Sequence, residues 1–333
     1  MPAAVGAVRR NSLQWAFGAL FGVAVMVSAI VMGSGGLNFN NVALYNPGCG
    51  PDYPGGNDAG YGYDYSTCPA EDRGDAGYRL VAADGGVFTY GDRDFFGSAG
   101  AIKLNAPVVG GAVSPFGDGY WLFAADGGVF TYGDVGFFGS AGAIKLNSPI
   151  VGGAAAPDGE GYWLFAADGG VFTYGDGAEF FGSAGAIKLN SPVVGGAAAP
   201  FGDGYWLFAA DGGVFTYGDG AEFFGSQGGS PLNKPIVGGA ATTDGFGYWL
   251  FASDGGVFTH GSAGFFGSQG AAVLNRPVVG GVGTATDEGY WMTASDGGVF
   301  SHGDAPFSGS AGAIKLNSPV VGIMKEGPDV FSP

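Results

Sequence analysis

Short apolar runs separated by glycine- and aspartate-rich turns follow one another along the chain from Gly77 onward. They are rich in aromatic and β-branched residues, which is typical of β-strands. In one unit the runs lie at 149–156, 161–167, 170–174 and 180–183, so the pattern predicts four antiparallel strands per unit. An Asp-Gly pair between the second and third runs predicts a hairpin with a type I′ turn, in which two residues have positive φ.

The same sequence unit occurs six times in the chain. Its Asp-Gly-Gly-Val-Phe segment recurs at spacings of 42, 42, 43, 43 and 42 residues. The six copies begin at Asp84, Asp126, Asp168, Asp211, Asp254 and Asp296. A period of 40–45 residues with this glycine and aromatic content is typical of β-propeller blades. The small Gly-Gly-Ala run fits the crowded central axis, and the aromatic runs fit between blades.

The phase of the repeat predicts how a ring would close. The first unit begins at its second run, at Tyr78, and the last ends after its first run, at 319–324. Strands from both ends would then complete one blade and remove exposed sheet edges. We therefore expect an all-β fold, a six-bladed β-propeller of 42–43-residue repeats over 77–325, with a tail at 326–333. An open solenoid is the alternative.

The N-terminal residues predict a membrane segment. Residues 13–32 carry no charge and follow Arg9 and Arg10; 20 helical residues span about 30 Å, the thickness of the hydrocarbon core. The arginines indicate that 1–12 are cytoplasmic and that the rest of the chain is extracytoplasmic, in the periplasm or at the cell surface. The alternative is a secretory signal cut after Ala29. Gly18 and Gly22 form a GxxxG motif, which favours close helix packing.

A linker rich in glycine, tyrosine and aspartate covers 33–76 and holds both cysteines, Cys49 and Cys68. Outside the cytoplasm these two residues can form a disulfide. Free thiols are the alternative. Two cysteines without neighbouring histidines do not suit a zinc site.

The consensus sequence of the unit, GYWLxAxDGGVFxxGDxxFxGS, resembles the repeats of secreted and envelope-associated actinobacterial proteins that are described as propeller-like. The resemblance covers about 77–322. It implies a propeller, but little about activity, because such arrays occur alone or attached to separate hydrolase domains.

Composition and motifs narrow the function further. A net charge of −17 argues against sequence-independent nucleic-acid binding, which needs clustered lysine and arginine. Aromatic residues make up 15% of the chain, which is ample material for a core. No GxSxG elbow or HExxH motif occurs, and nearly interchangeable units offer no single acid–base pair. We expect no enzyme activity, no cofactor and no metal.

The charges sort onto two faces of the expected ring. One face, here called the acidic face, receives the loops between first and second strands and the segments that leave the third strands. Only Arg93 offsets its fifteen acidic residues, which would suit Ca²⁺ or a cationic partner, or serve only solubility and turn formation. These residues are Asp92, Asp94, Asp118, Asp134, Asp158, Glu160, Asp176, Glu179, Asp203, Asp219, Glu222, Asp244, Asp287, Glu288 and Asp304.

The other face, the mixed face, receives the six Asp-Gly turns and the connections between units. Each connection carries an asparagine before a proline and one cation, a combination suited to a glycan or a carboxylate. The expected ligand residues are Lys103, Asn105, Lys145, Asn147, Lys188, Asn190, Asn233, Lys234, Asn275, Arg276, Lys315 and Asn317. The alternative is that each asparagine only caps the turn before the proline.

The recurring tryptophans and the two histidines are interpreted as packing residues between blades, with an aromatic sugar platform as the alternative for tryptophan. His260 and His302 stand where other units have tyrosine, and Arg79 stands where they have tryptophan.

Two functions fit these observations. The first is a membrane-anchored, extracytoplasmic binding module for an envelope glycan or protein. The second is a structural accessory subunit of a membrane protein complex, docked by its transmembrane helix and capping the extracytoplasmic side.

Overall fold

The computed structural model describes residues 19–20, 23–24 and 77–325. Between 77 and 325 the chain is all-β, with eighteen strands in six three-stranded antiparallel sheets. This architecture is consistent with the expected six-bladed propeller. The inner strands are β5 (Val108–Val113), β8 (Ile150–Ala155), β11 (Val193–Ala198), β14 (Ile236–Ala241), β17 (Val278–Gly283) and β20 (Val320–Met324).

Each inner strand pairs with a middle strand, which pairs in turn with an outer strand. The middle strands are β3 (Gly77–Ala82), β6 (Gly119–Ala124), β9 (Gly161–Ala166), β12 (Gly204–Ala209), β15 (Gly247–Ala252) and β18 (Gly289–Ala294). The outer strands are β4 (Val87–Gly91), β7 (Val129–Gly133), β10 (Val171–Gly175), β13 (Val214–Gly218), β16 (Val257–Gly261) and β19 (Val299–Gly303). Sheet 1 consists of β20, β3 and β4, and sheets 2 to 6 follow in chain order.

The inner strands form a closed cycle. Each one contacts the inner strand of the next sheet, and β20 contacts both β17 and β5. Sheet 1 joins the two ends of the repeat region, because β20 pairs with β3 from Val320 opposite Ala82 to Met324 opposite Arg79. The predicted closing sheet is confirmed, and the closed cycle is not the arrangement of an open solenoid.

The prediction of a fourth strand in each unit is wrong. The segment after each outer strand, for example 180–183, pairs with no strand among the described residues. Side chains hold its backbone instead: the indole of Trp163 donates to the carbonyl of Glu179, and the hydroxyl of Tyr205 donates to the carbonyl of Gly182. Gly182 has a φ of +137°, which is outside the β region.

The predicted hairpins are present, but the turn type is not I′. In the turn between β9 and β10, Gly169 has a φ of +81°, whereas Asp168 does not have a positive φ. The Asp168 carboxylate accepts a hydrogen bond from the N–H of Gly170 at 3.0 Å. This is the aspartate turn in which the side chain bonds the backbone two residues on, and it recurs in all six sheets.

The core lies between neighbouring sheets. Every residue of the middle strands is buried. Trp121, for example, is fully buried against Tyr162 of the next sheet, with ring centroids 5.7 Å apart. The packing role expected for the tryptophans is confirmed, and none of the five is exposed as a sugar platform.

Arg79 takes the place of tryptophan in sheet 1. Its guanidinium donates to the carbonyl of Asp94 at 3.0 and 2.8 Å, and it lies over the rings of Phe96 and Tyr120. In sheet 2, Trp121 donates to the carbonyl at the equivalent position, Gly136. Arg79 is fully buried and reproduces the hydrogen bond of the indole.

The predicted membrane helix at 13–32 falls mostly outside the described residues. The part that is described forms β1 (Ala19–Leu20) and β2 (Val23–Ala24), which pair antiparallel. Among the residues that the structure describes, no helix has the length and apolar character to cross a membrane. Gly18, Gly22, Cys49, Cys68, the remainder of the linker and the tail at 326–333 lie outside the described residues.

Candidate functional site

Backbone hydrogen bonds define the two faces of the ring. On the acidic face, in sheets 2 to 6, the loop before the middle strand bonds the segment after the outer strand, as in Asp134 N–H to Asp118 C=O at 2.9 Å. On the mixed face, the Asp-Gly turn bonds the connection to the next sheet, as in Ala99 N–H to Gly85 C=O at 2.9 Å. The division of loops expected from the strand order is therefore present.

All twelve predicted ligand residues lie on the mixed-face connections, and their side chains are exposed. They recur around the ring, and within each connection the asparagine precedes the inner strand by three residues, as Asn105 precedes Val108. None of the six asparagine side chains makes a hydrogen bond within the described residues. The structure thus shows no capping hydrogen bond from these six side chains, and all six are exposed.

A small pocket recurs on this face. Near sheet 1 it has a volume of about 280 Å³ and is lined by Asp84, Ile102, Leu104, Asn105 and their neighbours. Near sheet 3 a pocket of about 260 Å³ is lined by the equivalent residues Asp168, Ile187, Leu189, Asn190 and their neighbours. Each pocket thus combines an apolar floor with an amide and a carboxylate.

Apolar side chains stand beside the lysines of this face. Ile102, Ile144, Ile187 and Ile314 are 54–57% exposed, and each directly precedes a lysine of the predicted set. The connections after sheets 4 and 5 differ, because Ser230 and Ala272 replace the isoleucine and the cation follows the asparagine. The pocket chemistry is therefore most uniform after sheets 1, 2, 3 and 6.

The acidic face has a funnel at its centre that the sequence did not indicate. It has a volume of about 370 Å³ and is lined mainly by glycine and alanine residues of five inner strands and by Ile323 and Met324 of β20, with Pro115, Pro157 and Thr243 among its other lining residues. Lys325 also lines it. Lys325 was missed because the equivalent position in the other units holds valine, alanine or glycine, so no recurring charge marks it.

Asp287 breaks the symmetry of the acidic face. Its φ of +60° is the only positive φ of a non-glycine residue in the described part of the chain, and glycine occupies the equivalent position in other loops, as at Gly245. The carboxylate accepts hydrogen bonds from the N–H and the hydroxyl of Thr243 in the neighbouring loop. Burial raises the pKa of Asp287, the Thr243 bonds oppose this shift, and nearby Asp244 adds to it.

The two histidines lie in packing positions, as expected. His260 contacts Tyr248 and His302 contacts Tyr290, with ring centroids 5.4 and 5.5 Å apart. Burial lowers the pKa of both imidazoles. Within the described residues, no group of three or more histidine, cysteine, aspartate or glutamate side chains could hold a metal ion.

No protein-family model matches the chain, and a comparison with curated proteins finds no match either. Function is therefore inferred from the geometry of the two faces.

Proposed function

We propose that the protein is a non-catalytic binding module, displayed outside the cell on its N-terminal apolar segment, and that its mixed face binds an envelope glycan. The observation that carries this proposal is the recurring pocket of an isoleucine, an asparagine and a turn aspartate near sheets 1 and 3. The near interchangeability of the units also favours binding over catalysis, which needs one acid and one base at one place.

The chemistry of the pocket suits a sugar. Isoleucine, leucine and proline side chains can pack against the apolar face of a pyranose ring, while the free amide of Asn105 or Asn190 bonds its hydroxyls. The exposed lysines beside these pockets, Lys103 and Lys188, would pair with carboxylates or phosphates of an acidic polymer.

The ring suits a repeating ligand better than a single sugar. Each site is shallow and open, so one sugar would bind weakly. When one polymer occupies several equivalent sites, each further contact is intramolecular, and avidity exceeds the single-site affinity by about 10²-fold or more.

The test compares polygalacturonate, a carboxylated polymer, with its monosaccharide and with neutral dextran. We expect the full chain to bind polygalacturonate at least about tenfold more tightly than the monosaccharide. The variant N105A/N190A should weaken polymer binding several-fold, and K103Q/K188Q should weaken it and reduce its salt dependence.

The matched control is D158N/D203N, which changes two exposed polar side chains on the opposite face. Its polymer affinity should not fall. Binding that survives N105A/N190A, or that D158N/D203N weakens equally, would contradict the use of the mixed face.

The GxxxG motif of the apolar segment favours a second candidate, an accessory subunit that docks in a membrane complex through Gly18 and Gly22. If this is correct, G18L/G22L should release the protein from a complex that is isolated in mild detergent. Unchanged association of this variant would count against it.

A further inference from the structure

Large aromatic side chains are exposed across the acidic face. Nine phenylalanines there are between 46% and 67% exposed. Six of them follow the outer strands by four or five residues, one per sheet: Phe95, Phe137, Phe180, Phe223, Phe265 and Phe307. Phe116, Phe201 and Phe246 add three more in the loops before middle strands. Soluble monomers seldom expose so much aromatic surface unless it binds something.

The six phenylalanines are held in place by buried groups. The residue before each one offers its carbonyl to the indole of the buried tryptophan of the same sheet, or to Arg79 in sheet 1. In sheet 3, Trp163 donates to Glu179 C=O at 2.8 Å, and Phe180 follows. The same bond occurs in the other sheets.

The residue after the exposed phenylalanine is also fixed. In sheets 1 to 5 it is a second phenylalanine that packs on the tyrosine of the next sheet, as Phe181 packs on Tyr205 with centroids 5.8 Å apart. The exposed ring therefore stands between two anchored neighbours. A side chain displayed in this way binds a partner with little further ordering of its backbone.

An acidic residue directly precedes three of these phenylalanines in the chain. Asp94, Glu179 and Glu222 are exposed and directly precede Phe95, Phe180 and Phe223. In sheets 2, 5 and 6 the preceding residue is Gly136, Gly264 or Pro306 instead. Twelve of the fifteen acidic residues of this face are exposed, whereas its two cations, Arg93 and Lys325, are half-buried. The charge of the face is therefore complementary to a cationic partner.

We propose that the acidic face is a docking surface for an arginine-rich polypeptide segment, and that the acid–phenylalanine pairs in sheets 1, 3 and 4 are its main contacts. The planar guanidinium group stacks on an aromatic ring and pairs with a neighbouring carboxylate in two parallel hydrogen bonds. The ammonium group of lysine cannot form the same planar arrangement. This surface is on the opposite face from the glycan sites and does not depend on them.

The test titrates the full chain with a 15-residue peptide that carries five arginines spaced by glycine and serine, and with versions in which lysine or glutamine replaces arginine. We expect the arginine peptide to bind, the lysine peptide to bind several-fold more weakly, and the glutamine peptide not to bind. F95S/F180S/F223S should lose about tenfold in affinity for the arginine peptide, and D94N/E179Q/E222Q should lose a similar factor with a smaller salt dependence.

The chain supplies its own matched control. F137S/F265S/F307S removes three equally exposed rings that lack a preceding carboxylate, and its loss should be smaller. Circular dichroism and thermal unfolding of each variant show whether the fold is intact. A third set, I102S/I187S/I314S, alters exposed apolar residues on the mixed face and should bind like the unmodified chain.

Several results would overturn the proposal. Equal affinity for the arginine and lysine peptides, together with full binding by F95S/F180S/F223S, would show attraction by diffuse charge alone. An equal loss in the two phenylalanine triples would remove the role of the acid–aromatic pairs. Self-association of the unmodified chain that F95S/F180S/F223S abolishes, without peptide binding, would identify a second copy as the occupant.

Discussion

At the scale of single residues, each of the two histidines that replace tyrosine is accompanied by a second substitution in the preceding unit. Where His302 replaces tyrosine, Gln269 of the preceding unit replaces alanine, and its amide nitrogen lies 3.4 Å from His302 Nε2. Gln227 and His260 repeat the exchange one unit earlier. The units with tyrosine keep alanine, as Ala141 precedes Tyr174. The longer glutamine offsets the smaller imidazole ring, so the interface stays filled.

This pairing predicts a pH dependence. Burial lowers the pKa of His302 and His260, so the folded state favours the neutral imidazole. The stability that this contributes is present above the unfolded pKa of about 6.5 and is lost as the pH falls below it. Reverting all four positions, with Q227A/H260Y/Q269A/H302Y, should reduce the loss of melting temperature between pH 7.5 and 5. An identical loss in both proteins would contradict this account.

A second prediction concerns Arg79. R79A removes two hydrogen bonds to the Asp94 carbonyl and leaves a cavity, and should cost about 3 kcal/mol or more in the free energy of unfolding. R79W should recover most of this loss, because an indole makes the equivalent bond in the other five sheets. Chemical denaturation of the three proteins tests this. R79W that is less stable than R79A would show that the two side chains are not interchangeable.

Small residues determine the geometry of the inner strands at the scale of the element. Two adjacent glycines of β8 have different surroundings. A Cβ on Gly153 would lie 2.5 Å from the carbonyl oxygen of Trp163 and 2.8 Å from the ring of Phe123. A Cβ on Gly152 would meet only Gly195 Cα, at 3.9 Å. One glycine permits the approach of the next strand, while the other faces the axis of the ring.

These surroundings predict opposite outcomes for the same substitution. G153A should lower the free energy of unfolding by about 1–3 kcal/mol, because the added methyl group overpacks the contact with Trp163. G152A should be neutral or stabilising by a few tenths of a kcal/mol, since it restricts the unfolded chain without a clash. Equal effects of the two substitutions on the urea midpoint would contradict this assignment.

The individual strands show best what could and could not be predicted from the sequence. Of the four strands that periodicity predicted in each unit, three are present, and so is the closing sheet, because those runs carry their own pairing pattern. It failed for 180–183, since the indole and hydroxyl donors that hold this segment come from middle strands of its own and the next sheet. The mixed-face asparagines were found because they recur. The exposure of Phe180 was missed because the next residue, Phe181, is also phenylalanine. The sequence does not show which of the two rings packs against Tyr205 and which is exposed.

At the scale of the whole molecule, the closed cycle depends on one short strand. Removal of β20 would expose the edge of β3 and separate β17 from β5, and an unpaired edge promotes association. It would also remove the buried side chains of Val320, Ile323 and Met324, which together contribute about 5 kcal/mol by burial. Within the residues that the structure describes, no other strand pairs with the edge of β3 that β20 covers.

The last prediction tests this closure with two truncations. A chain that ends at Ser318 should unfold at a much lower temperature and with less cooperativity than the full chain, and it should associate in size-exclusion chromatography. A chain that ends at Lys325 keeps β20 and should behave like the full chain, which makes it the matched control. If the shorter chain remained monomeric with an unchanged melting temperature, the ring would not depend on the closing strand. Each sheet would then draw its stability from its immediate neighbours, as in a solenoid.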